Sequence, residues 1–161
     1  PPPGTRPPGA APPTAPGGLF TQSILARKGQ LPSPVIGRVV QGFGRRDGRG
    51  QITKGMAIRS RAGAPVVAPF DGRVLYAGSF RSYGLILIID HGQGYHTLLA
   101  GLGRLHMAVG QTVLAGEPIG VMARDKELSA DRLDLYLELR HDGTPIDPLP
   151  WLALETGIAS G

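Results

Sequence analysis

At 161 residues the chain has the length for one domain with a core of ordinary size plus a tail, and with no cysteine it excludes disulfides, thiolate metal sites and a cysteine nucleophile. Lys and Arg outnumber Asp and Glu 17 to 12, a formal charge of +5, which favours acidic partners. The arginines are scattered without interleaved aromatics, so nucleic acid is not an expected partner, and no apolar run approaches the ~18 residues of a membrane-spanning helix.

The first segment, residues 1–18, is a Pro/Ala/Gly stretch too poor in apolar surface to offset its ordering entropy, and reads as a disordered linker. It starts Pro1-Pro2-Pro3-Gly4, without Met or a basic-then-apolar leader, so a fragment of a longer protein is expected, with the signal peptide outside it. Residues 19–30 read as a short helical lead-in, with Leu19, Phe20, Ile24 and Leu25 expected on one side and Gly29 as the stop. From Leu31 short apolar runs alternate with Gly, Pro and Asp, the texture of an all-β domain with tight turns. Leu85–Ile89 is apolar on both faces and predicts a central buried strand. Leu133–Arg140 alternates with period two. Its four leucines face inward, and Asp134, Tyr136, Glu138 and Arg140 face outward. A short helix is possible near Asp125–Ala130, and Trp151 and Leu152 are expected to cover a core edge.

Spacing alone yields no catalytic constellation. The four histidines, His91, His96, His106 and His141, show no paired zinc-ligand spacing, and each reads first as a turn, strand or surface residue. Gly42-Phe43-Gly44 is too short for a nucleotide fingerprint.

An ordered set of landmarks runs from about Leu31 to Leu152. Pro34-Val-Ile-Gly37 and Gly42-Phe-Gly44 come first, then Lys54-Gly-Met56, Gly63-Ala-Pro-Val-Val-Ala68 and Asp71-Gly-Arg-Val74. Tyr83-Gly84, His91-Gly92 and Val109–Gly120 follow, and the set ends with Leu135-Tyr-Leu-Glu-Leu-Arg140, Asp147-Pro148 and Trp151-Leu152. On these residues the chain resembles the LytM-type (lysostaphin-like) metalloendopeptidases. The resemblance implies a mainly β fold over residues 31–155, an antiparallel sandwich or half-barrel of the duplicated hybrid motif type with short helices, followed by a flexible tail at 156–161.

Active members of that family carry His-x-Gly-x-Asp, a catalytic His after a later strand, and His-x-His. The matching positions here hold Thr53 and Ala57, then Gly101, then Asp134 and Tyr136. Catalytic zinc needs about three protein ligands and an open position. The resemblance therefore implies a domain with no cofactor, no metal and no catalytic activity.

Among degenerate members the chain is most similar to the EnvC-type murein hydrolase activators. That similarity implies a groove of Lys54, Met56, Ala57, Tyr83, Ile86, Tyr136 and Arg140 that binds a periplasmic N-acetylmuramoyl-L-alanine amidase and relieves its autoinhibition for septal peptidoglycan cleavage. It also implies docking to the division-site transporter complex through an N-terminal coiled coil absent from this sequence. Plainer roles stay open: Ile86 as core, and Tyr136 as filler of a former zinc cavity. Two other functions also stay open, a peptidoglycan-binding module and a zinc endopeptidase with a site relocated to His91, His96 or His106.

Overall fold

A computed structural model describes residues 23–124 and 134–153. The linker 1–18, the first part of the lead-in, the helix expected near Asp125–Ala130, Leu133 and the tail at 156–161 lie outside the described residues.

Among the described residues ten strands form one sheet: β1 Arg38–Gln41, β2 Met56–Arg59, β3 Pro65–Val67, β4 Gly72–Ser79, β5 Leu85–Gly92, β6 Tyr95–Leu105, β7 Thr112–Val113, β8 Pro118–Met122, β9 Asp134–His141 and β10 Thr144–Ile146. The main order is β1-β2-β9-β6-β5-β4-β7. β10 pairs with β9, and β8 joins β6 to β3. Every strand pair is antiparallel. The fold is thus mostly antiparallel β, as the landmarks implied.

Period-two alternation explains the core. On the inner face, Met56 and Ile58 of β2 pack with Leu135, Leu137 and Leu139 of β9, Leu99 of β6, Leu87 and Ile89 of β5, and Val74 of β4. Each such side chain contributes about 1.5–3 kcal/mol by leaving water. Leu85–Ile89 does lie in an interior strand, β5, between β4 and β6.

The helix expected over 19–30 is, in its described part, one 3-10 turn at Ile24–Arg27. Ser23 caps it by accepting from Leu25 N–H at 3.1 Å. Ile24 is buried, but Leu25 is 52% exposed, so the expected apolar side does not form. The reason is a competing set of backbone bonds. Gly29 N–H and Leu31 N–H both donate to Trp151 C=O, and Ala153 N–H donates to Leu31 C=O. This short parallel bridge, Leu31 to Leu152, draws the segment into extended backbone and seals the core edge with Trp151.

β6 changes partners midway. Tyr95–Ala100 pairs with β9, and Leu102–Leu105 pairs with β8. Gly101 is the pivot, a bulge at φ +103° that skips one residue of the β5 register.

Candidate functional site

Residues directly opposite in an antiparallel pair share a face. One such row crosses five strands: Ala57, Tyr136, Ala100, Ile86 and Gly78. The next holds Glu138, Leu98, Ile88 and Tyr76, and a third holds Arg140, His96, Asp90 and Arg73. All lie on the face away from the main core. The register thus brings Ala57, Tyr136, Ile86 and Arg140 together on one side of the sheet.

β9 supplies the polar centre of this face. Tyr136 donates from its hydroxyl to Glu138 Oε1 at 2.5 Å, and Arg140 donates from Nε to Glu138 Oε2. The three residues occur at i, i+2 and i+4, the spacing that stacks side chains along one strand face. Glu138 is only 5% exposed, whereas Arg140 remains half-open to solvent. Burial and the hydrogen bond to Glu138 hold the Tyr136 phenol well above its ordinary pKa, so it stays protonated.

The residues that the family resemblance matches to metal ligands (Thr53, Ala57, Tyr136) and to catalytic histidines (Gly101, Asp134) lack a donor or engage other partners. Thr53 Oγ1 donates to Gly42 C=O at 2.6 Å and accepts from Arg45 N–H at 3.0 Å, which closes the loop ahead of β2. Ala57 has no donor atom. Asp134 forms a two-pronged ion pair with Arg59, Nε to Oδ1 at 2.7 Å and Nη2 to Oδ2 at 3.0 Å. A Cβ on Gly101 would come within 2.7 Å of the Asp134 carbonyl oxygen, so the backbone path itself resists a histidine there. Zinc binds deprotonated or neutral ligands with open lone pairs. A methyl group, a protonated phenol and a carboxylate already in an ion pair do not fit it.

Nor do the histidines gather for a relocated centre. His91 is not a turn residue: it lies in β5 and is buried on the core side. Its Nδ1 is 2.7 Å from Asp71 C=O and its Nε2 is 2.6 Å from Thr97 Oγ1. His96 lies on the opposite face, 3.8 Å from Asp90, and His106 follows the end of β6. His141 is in β9, not a loop, and stacks on Tyr95 at 4.1 Å. Among the described residues, no three His, Asp or Glu side chains are grouped to hold an ion.

Met56 is a correction. Its position in β2 turns it into the hydrophobic core, 1% exposed, so it does not face the groove. Ile86 is buried too, but as part of the floor beside Ala100 and apart from the main core cluster. Lys54 is exposed just ahead of β2. Tyr83 is 60% exposed in a 3-10 turn, Arg81–Tyr83, where Phe80 stacks on it at 6.1 Å and Tyr76 meets Phe80 edge-on at 6.4 Å. Sequence reasoning missed Phe80 and Tyr76 as rim residues and Glu138 as a buried partner. The only available signal for Glu138 was its place between Tyr136 and Arg140.

The family model for peptidase family M23 matches residues 51–148, which is more than half of the chain. The chain belongs to the M23 family. It is 34% identical over 133 residues to the murein hydrolase activator EnvC of Escherichia coli, covering 82% of this chain and 31% of that protein. It is 38% identical over 111 residues to a lipoprotein NlpD/LppB homolog of Pseudomonas aeruginosa, covering 68% and 36%. The chain therefore spans about a third of the length of these curated relatives. The solution structure of lysostaphin superposes with a TM-score of 0.67 at 20% identity, over 82% of this chain and 55% of that one, which supports the shared M23 fold.

Proposed function

We propose that this M23 domain is a non-catalytic activator of N-acetylmuramoyl-L-alanine amidases. Its groove captures the amidase and favours the open state of that enzyme by population shift. The observation that carries this reading is the use made of the former metal positions. Their donors are absent or paired within the protein, while Lys54 and Tyr83 are exposed, and Arg140 half-exposed, on or beside the same face. Aromatic and arginine side chains of this kind are the usual anchors of protein interfaces. The similarity to proteins named as murein hydrolase activators supports the same reading. The domain would act in the periplasm, with segments outside this chain linking it to the division-site transporter complex.

The test is dye release from labelled sacculi by this domain alone, an amidase alone, and both together. Release only by the amidase, increased by the domain, is expected. Release by the domain alone would refute the reading.

A second reading, direct peptidoglycan binding, is favoured by one observation. The loop between β1 and β2 exposes Arg45, Arg46 and Arg49 around a single acid, Asp47, whose carboxyl is held below its ordinary range by the backbone N–H groups of Gln51 and Arg49. A sacculus pull-down without amidase checks it.

A further inference from the structure

Glu138 is a buried carboxylate on the face that carries Tyr136 and Arg140, beside a floor of buried Ile86 and Ala100. One of its oxygens accepts from Tyr136 and the other from Arg140 Nε. A hydrogen bond from a guanidinium to a carboxylate is short and strong, and it fixes the donor's plane. With Nε tethered, the two terminal nitrogens of Arg140 have no protein partner among the described residues, and the side chain is 43% exposed. An arginine held in this way has one edge anchored and its fork directed outward.

We infer that Glu138 is the positioning residue of the groove. It holds Arg140 so that the two terminal nitrogens receive a carboxylate of the partner, and it holds the Tyr136 ring over Gly55 beside them. The inference rests on the amidase-binding reading, and it narrows the partner surface to one that carries an acidic side chain at this point.

Two measurements test it. The first is affinity of the purified chain for an N-acetylmuramoyl-L-alanine amidase of the same organism, together with the thermal midpoint. Glu138→Gln keeps the volume but leaves one neutral acceptor oxygen for two donors, so Arg140 Nε loses its charge-assisted bond in either orientation of the amide. Binding is expected to weaken about tenfold or more while the midpoint moves by no more than a few degrees. In an Arg140→Ala background the same change adds little, because both act through one contact. Full additivity, or wild-type affinity in Glu138→Gln, overturns the inference. The second measurement needs no partner: NMR hydrogen exchange at Arg140 Nε–H. Slow exchange in the parent chain and fast exchange in Glu138→Gln is expected, and equal rates overturn the positioning role. If the parent chain binds no amidase, the functional reading fails, and the exchange rates still decide whether Glu138 holds Arg140.

Discussion

Gly55 lies directly beneath the ring of Tyr136: a Cβ there would fall 2.8 Å from the phenolic oxygen and 2.4 Å from the Leu137 carbonyl oxygen. Two neighbouring strands meet at that point, and the phenol fills the space above the glycine. Gly55→Ala must therefore push β2 from β9 or swing the tyrosine out. A loss of about 1–3 kcal/mol is expected, measured by urea unfolding. An unchanged midpoint would mean that the contact yields freely.

Lys54 and Met56, two residues apart, separate surface from core. Lys54→Glu should leave the unfolding free energy within about 0.5 kcal/mol of the parent and reduce amidase stimulation at least about tenfold. Met56→Ala should cost about 2–5 kcal/mol, because it opens a cavity among Ile58, Leu137 and their neighbours. Its stimulation per folded molecule should be unchanged. Stimulation lost in Met56→Ala at full folding would return that side chain to the groove.

His91 makes stability depend on pH. Burial lowers its pKa from 6.5 to about 4, against the opposing effect of the Asp71 carbonyl. The folded state therefore keeps the ring neutral while the unfolded chain takes up a proton below pH 6.5. The stabilisation is complete above pH 6.5 and is lost progressively as pH falls towards 4. The loss from this residue amounts to about 3 kcal/mol. Denaturation curves across pH 4–7 should show that slope in the parent chain and a flatter one in His91→Gln, each compared with its own value at pH 7. Parallel slopes would show that other groups carry the acid sensitivity.

Zinc should have no purchase on the degenerate site. Dialysis against zinc followed by metal analysis is expected to find well under one equivalent retained. Treating the domain with a chelator, which is removed before the amidase is added, is expected to leave both its thermal midpoint and its stimulation of the amidase unchanged. One tightly held equivalent, lost together with stimulation on chelation, would defeat the non-catalytic assignment.

Much of the fold was legible because the physics is local. Alternation in Leu135–Arg140 predicts which leucines face the core, and the described ones do so. The stretch His91-Gly92-Gln93-Gly94 does hold the turn between β5 and β6, at Gln93-Gly94, although His91 and Gly92 themselves belong to β5. The lead-in helix failed because its helical propensity competes with backbone bonds to Trp151, more than a hundred residues away, which no local pattern reveals. Met56 was misplaced for a related reason. Position within a motif says that a residue is near the site, but strand parity decides which face it occupies.

The amino-acid string alone determined the composition of the site: Thr53, Ala57, Gly101, Asp134 and Tyr136 are the residues that the family resemblance matches to metal ligands and catalytic histidines. Tertiary structure decided what those substitutes do. The pairing of β2, β9 and β6 ties Asp134 to Arg59 and packs Tyr136 over Gly55, while Glu138, within β9, binds Tyr136 on one side and Arg140 on the other. The contacts across strands depend on register between segments distant in sequence, and the burial of Glu138 depends on everything packed around it, so neither is written in any one stretch of the chain.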